Sequence, residues 1–308
     1  MGYNVLISML LLMVLAPGCG QDDPAIRVDL SQTEQVISRK MPETITYAYL
    51  PQYSHREAYT RHHALVRYLK TQTGINIRQV FPDNFDQHMA LVGEGKIDIS
   101  FSNPFIYVKI ARKYGAAAFA RTVEALGKET FRGQVITRQD NTAIRTIQDC
   151  RNLNWIAVDP SSAGGYLFPL GHFLRHGIRA ADFKTIDFAP GPGGKQEKVI
   201  LGVYSGTYDI GTIREGALDV VANKIDVAKI RILSRTRPYP GWVYAAAKDL
   251  DAQHLEKIRA ALVNLDINHK GHHDILEAAH VVDIIPARDS DFNSVRQLTV
   301  ALGMEGTQ

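Results

Sequence analysis

Apolar and polar positions repeat along this chain with two periods, and the two periods take turns. Ile45–Leu50 is an apolar run closed by Pro51 and predicts a strand. Arg56–Lys70 carries Ala58, Leu65, Val66 and Leu69 and stops near Gly74, which predicts a helix. Ile75–Val80 alternates as a strand, and Phe85–Glu94 reads as a helix ended by Gly95. Ile97–Phe101 is a short apolar strand before Ser102-Asn103-Pro104, and Ile106–Tyr114 is helical as far as Gly115. Gln134–Thr137 predicts a strand entering the polar turn at Asp140-Asn141. The second series places strands at Trp155–Val158, Thr185–Phe188 and Tyr208–Thr212, with helices at Leu167–His176 and Glu197–Tyr204 between them. Val243–Ala247 is a further strand. The helix after it, Ala252–Leu265, has Leu255, Ile258, Leu262 and Leu265 on one face.

Strands alternating with helices of this length predict parallel βαβ units. Ligands of such sheets bind beyond the C-terminal ends of strands. Those ends are Tyr49–Gln52, Ser102–Phe105, Ser161–Gly165 and Thr212–Glu215, two from each half, facing one another across a cleft. Among them, Val158–Pro169 is the most informative stretch. A strand runs into hydroxyls and glycines and then into a helix bearing Leu167, Leu170, Phe173 and Leu174. That arrangement offers backbone N–H groups and the positive end of a helix dipole to an anion. It is equally the arrangement of a tight strand-to-helix turn capped by serine.

Length and composition narrow the classes. A chain of 308 residues is too long for a typical single core and fits two lobes. The net charge of +3 is mild, and without a basic stripe it gives no case for nucleic acid. Two cysteines, Cys19 and Cys150, build no disulfide framework, so stability rests on a hydrophobic core in which Cys150 packs as a small hydrophobe. The pairs His62-His63 and His269/His272-His273 lack the companion ligands of a zinc site and read as solvated histidines. No metal and no cofactor are implied. With no nucleophile elbow, no zinc-protease motif and no phosphate loop of the nucleotide type, the chain does not read as an enzyme.

At the N-terminus, Val5–Leu15 is an apolar run too short to span a bilayer, and Leu15-Ala16-Pro17-Gly18 leads into Cys19. This resembles a bacterial lipoprotein signal peptide (1–18) with its lipobox, although no Lys or Arg precedes the run. The resemblance implies export and lipidation of Cys19, with 19–42 as a tether to a membrane. A plain secretory signal is the alternative.

The folded part resembles the periplasmic substrate-binding proteins of the phosphate/phosphite/phosphonate (PhnD-like) group of ABC importers. The matching text is Tyr68-Leu69-Lys70 with Thr73-Gly74, Ala90-Leu91 with Gly95–Ile99, and Ser161–Tyr166 through Pro169. It continues with Gly177, Asp182-Phe183, Gly206 and Asp209. The family implies an α/β, two-lobed type II periplasmic-binding fold, each lobe a mainly parallel sheet flanked by helices, joined by a two-strand hinge. Lobe one would comprise 43–135 and 238–308, and lobe two 136–237. It also implies a monomer that captures a small oxyanion or organic anion for an inner-membrane ABC permease or, alternatively, for a sensor kinase.

By their places at the strand ends and their chemistry, the candidate ligand contacts are Tyr49, Gln52, Ser102, Asn103 and Tyr107 of lobe one, the last either lining the cleft or packing the core. From lobe two they are Ser161, Ser162, Ala163, Gly164, Gly165, Lys195, Gln196 and Arg214, with Tyr239 at the second crossing. Alternatives stand beside several of these. Ser162 serves either as ligand donor or as cap, Arg214 either meets the anion or pairs with Glu215, and Tyr239 and Trp242 either wall the cleft or pack the hinge. Two departures bear on the ligand. Where phosphonate binders keep Ser-Thr-Ser-Gly, this chain has Ser162-Ala163-Gly164-Gly165, and where they carry a His, it has Lys195-Gln196. Their oxyanion chemistry therefore does not transfer intact.

Overall fold

The structure, a computed structural model, describes residues 44–124 and 127–304. The signal peptide, Cys19 and the tether lie outside the described residues.

The first sheet is built from β1 (Thr44–Tyr49), β2 (Asn76–Val80), β3 (Ile99–Ser102), β4 (Ala117–Glu124), β12 (Val243–Ala246) and β13 (Val281–Pro286), in the order β13-β4-β12-β3-β1-β2. The second is built from β6 (Gly133–Arg138), β7 (Asn154–Ala157), β8 (Thr185–Phe188), β9 (Ile210–Arg214) and β10 (Ile230–Arg235), in the order β10-β6-β9-β7-β8. A small ribbon of β5 (Thr130–Phe131) and β11 (Tyr239–Pro240) sits where the chain leaves the first sheet and where it returns.

Both sheets are mixed, not mainly parallel. β1 runs parallel to β2 and β3, but β12 is antiparallel to β3 and β4, and β13 is antiparallel to β4. In the second sheet β7 is parallel to β8 and β9, while β6 is antiparallel to β9 and β10. The crossings supply the reason. A strand arriving from the other sheet begins at the cleft edge, where β1, β3 and β9 end, so it must run against them. Helix–strand periodicity carries no record of that reversal.

Local chemistry sets the helices. In α1 (His55–Thr73) the Ser54 hydroxyl caps Glu57 N–H, Gly74 closes the helix at φ 69°, and Ala58, His62, Leu65, Val66 and Leu69 form the buried face. In α3 (Pro104–Tyr114) the Asn103 carboxamide oxygen accepts from Phe105 and Ile106 N–H, Pro104 occupies the first turn, and Gly115 terminates it at φ 74°. α2 (Phe85–Gly93) starts from an Asn84 cap. In lobe two, α4 (Phe168–Arg175) and α5 (Lys195–Tyr204) flank the second sheet. The C-terminal part adds α6 (Ala252–Val263), α7 (Lys270–Ala279) and α8 (Asn293–Ala301), the first two packing on α1 and β13.

One core gathers Tyr47, Leu65, Ile77, Ile106 and Tyr244, and a second gathers Val135, Trp155, Phe173, Ile178 and Cys150. Cys150 is fully buried, and burial pushes its thiol up to about 12, so it behaves as an inert hydrophobe. The histidines divide. His269 caps α7 and His273 is exposed, whereas His62 is buried between Tyr47, Tyr49 and Phe101, which corrects the solvated reading for that residue.

Candidate functional site

All four strand ends meet at one place. After β1, the Gln52 carbonyl accepts from Lys195 N–H at 3.0 Å and Gln196 N–H at 3.5 Å, at the start of α5. Gln196 then bridges the halves. Its Nε2 lies 3.5 Å from Gln52 Oε1, and its Oε1 accepts from Arg214 N–H at 3.1 Å. After β3, Asn103 Nδ2 donates to the Ser161 carbonyl at 3.3 Å, and Lys109 Nζ, two turns into α3, donates to Ser161 Oγ at 2.8 Å.

The hydroxyl-and-glycine loop after β7 is occupied by the protein itself. Ser162 Oγ accepts from Gly165 N–H at 3.1 Å, capping a π-helical turn (Ala163–Leu167) that leads into α4. Ser161 N–H donates to Asp159 Oδ1, and the Gly165 carbonyl accepts from Thr212 Oγ1 at 2.6 Å. A Cβ on Gly165 would lie 2.3 Å from Val158 Cγ2, and one on Gly164 would lie 2.8 Å from the Phe131 ring. Packing, rather than ligand approach, thus accounts for both glycines. Lys195 is similarly committed, to Asp159 at 3.2 Å and to the Ala189 carbonyl at 2.9 Å, all of it buried. Burial raises the Asp159 carboxyl, while the Ser161 N–H bond and Lys195 pull it back.

The open space lies beside this seam. A cavity of about 420 Å³ has Tyr49, Gln52, Phe101 and Trp242 on the lobe-one side, Arg214, Glu215, Gly216 and Asp219 on the lobe-two side, and α7 with the start of β13 closing it. Tyr49 stacks on His62, and Phe101 contacts both His62 and Trp242. Arg214 reaches Glu124 at 2.9 Å, and its guanidinium lies 5.3 Å from the Phe131 ring and 5.8 Å from the Trp242 ring. Burial opposes its charge, but Glu124 and Tyr53 outweigh that and hold the guanidinium firmly protonated. Among the described residues, three buried donors on the cavity lining find no protein partner: Tyr49 O–H, Trp242 Nε1–H and Arg214 Nε–H. Buried donors left unpaired are costly, so a cluster of them calls for an acceptor. Burial pushes the Tyr49 hydroxyl up to about 12, which keeps it a donor.

The candidates from sequence therefore separate. Tyr49, Gln52 and Arg214 line the cavity. Asn103, Ser161, Lys195 and Gln196 form the seam between the lobes, and Ser162, Ala163, Gly164 and Gly165 form the turn behind it. Ser102 is fully buried at the end of β3, and its hydroxyl finds no partner among the described residues. Tyr107 points into the lobe-one core, donating to Asp289 at 2.6 Å and packing on Phe292, because a helical residue four past the Asn103 cap faces the sheet. Tyr239 packs the hinge, its ring 3.9 Å from and nearly parallel to Phe168. Trp242, three residues on, is the aromatic that reaches the cavity. Arg214 pairs with Glu124 and not with its neighbour Glu215, whose nearest cation is Lys128 at 3.8 Å. Glu124, Lys109 and the Asp159–Lys195 pair carry no local signal in the sequence, because each charged partner or acceptor lies far away along the chain.

Residues 47–292 match the family described as ABC transporter, phosphonate, periplasmic substrate-binding protein. Among solved structures, a binding-protein component of an ABC phosphonate transporter from Pseudomonas aeruginosa superposes with a TM-score of 0.76 at 17% identity, over 85% of this chain and 87% of that one. PhnD1 from Prochlorococcus marinus, in complex with methylphosphonate, also gives 0.76, at 16% identity over 85% of this chain and 99% of its own. The aliphatic sulphonate binding protein of Escherichia coli gives 0.59 at 13% identity, over 86% and 88%. These likenesses establish the two-lobed periplasmic-binding fold, and the family match covers most of the chain. The protein belongs to the periplasmic substrate-binding proteins of phosphonate-type ABC transporters.

Proposed function

We propose that this protein captures a small organic acid in its interlobe cavity and presents the closed complex to an inner-membrane ABC permease, with Cys19 as lipid anchor. The observation that carries the reading is the set of unpartnered donors on Tyr49, Trp242 and Arg214 around one cavity lined from both lobes. Donors without acceptors beside a cavity lined from both halves suit an acid, and a ligand that touches both halves only when they are together favours closure. The named relatives hold or transport phosphonates and sulphonates, which are acids of this kind. The site's task is capture and release, so its groups need affinity and not turnover.

A thermal-shift panel of phosphonates, sulfonates and carboxylates tests the reading. At one hundred times its dissociation constant, a bound acid stabilises the protein by about 2.7 kcal/mol. Arg214→Gln should abolish the shift. A panel in which no acid raises the melting temperature contradicts the proposal.

A further inference from the structure

We infer that the cavity selects a singly charged organic acid with an aromatic or branched apolar body over a small, doubly charged oxyanion. The inference rests on the proposed capture of an acid in this cavity and specifies which acid.

Size comes first. About 420 Å³ falls among pockets for organic ligands, roughly 300–1,000 Å³, and a methyl-sized oxyanion would leave much of it unfilled. The walls say what fills the rest. Tyr49, Phe101 and Trp242 present aromatic surface, and Ile267, Val281 and Val282 present aliphatic surface. Burying an apolar body there is favourable, and ring-on-ring contact adds to it.

Charge then limits the head group. Two guanidinium groups line the cavity, Arg61 and Arg214, against four carboxylates, Glu124, Glu215, Asp219 and Glu277. Both cations already have partners, Arg61 with Glu57 at 2.7 Å and Arg214 with Glu124 at 2.9 Å. Of the neighbouring lysines, Lys195 is paired with Asp159, and Lys109, bonded to the Ser161 hydroxyl, is not among the residues that line the cavity. At Ser161–Gly165, the stretch that would welcome a multiply charged oxyanion, Asp159 already accepts from the Ser161 N–H and Ser162 Oγ from the Gly165 N–H. The donors that remain on Tyr49, Trp242 and Arg214 suit one acid group. A second negative charge meets an excess of carboxylates at short range.

Four probes separate body from charge in titration calorimetry on the full-length chain at mildly alkaline pH: methanesulfonate, benzenesulfonate, methylphosphonate and phenylphosphonate. Benzenesulfonate should bind at least about tenfold tighter than methanesulfonate and than phenylphosphonate. Trp242→Leu should narrow the first gap, and Glu215→Gln, at the rim, should narrow the second. Absence of either preference, with methylphosphonate bound as tightly as benzenesulfonate, overturns this inference and leaves capture of an acid standing. Failure of all four to bind overturns this inference, and capture of an acid falls with it if the carboxylates of the thermal-shift panel fail as well.

Discussion

Lys109 Nζ donates to Ser161 Oγ at 2.8 Å, joining helix α3 of the first lobe to the loop that follows β7 in the second. Burial holds the lysine below its ordinary pKa, while Asp86 and Asp159 favour the charged form. The bond ties the two lobes together in this structure. Ser161→Ala removes the acceptor and leaves a half-buried ammonium in its place. A hydrogen bond to a charged group contributes about 1.5–3 kcal/mol, so ligand affinity should fall roughly tenfold or more. Small-angle scattering should show a larger radius of gyration for the variant. An unchanged profile and affinity would remove Lys109–Ser161 from the closure mechanism.

Gly165 offers a test of the loop that does not involve ligand. Its Cβ position is 2.3 Å from Val158 Cγ2 and 2.6 Å from Val158 Cβ. Gly165→Ala must push the π-helical turn off β7, and overpacking of this kind costs about 1–3 kcal/mol. Chemical denaturation should register the loss directly. If the variant instead kept full stability and lost only ligand binding, the glycine would be serving the ligand and the packing account would be wrong.

Acid should weaken the fold most strongly through two fully buried histidines. His62 accepts or donates at Tyr47 Oη at 3.0 Å, and His88 Nε2 meets Ser100 Oγ at 2.7 Å, both rings buried. Burial, aided by Arg61 at His62, pushes both down to about 3. The unfolded chain protonates its histidines near 6.5, so between that value and about 3 it binds protons the native state refuses. Stability is therefore complete above the unfolded value and declines as pH falls, by about 1.4 kcal/mol per pH unit for each histidine. Urea melts across that interval give the slope. His88→Gln should flatten it, and an identical slope in the variant would show that the buried ring is not responsible.

Much of the fold could be read from the chain because its signals are local. Gly74 and Gly115 stop helices at positive φ, Asn103 caps one, and the apolar run at Ile45–Leu50 is a strand buried throughout. β4, β10 and β13 carry no clear alternation because their burial is uneven and their sheet neighbours lie far off in sequence. The site was legible to the level of its strand ends, and those do converge. Which side chain faces which was not. Arg214 lies beside Glu215 in sequence yet pairs with Glu124, and Ser162 has the chemistry of an anion donor yet caps its own turn. Backbone direction decides both, and residue type does not encode it.

The sharpest test of acid capture uses the two tryptophans, Trp155 and Trp242. Trp155 is fully buried in lobe two and donates to Thr212, whereas Trp242 lines the cavity with its Nε1–H unpartnered. Fluorine NMR of protein labelled with 5-fluorotryptophan gives one resonance for each, assigned with Trp155→Phe. Titration with an acid that stabilises the protein should shift the Trp242 resonance in saturable fashion and leave Trp155 nearly still. A stabilising acid that leaves the Trp242 resonance unmoved would contradict the placement of the ligand in this cavity.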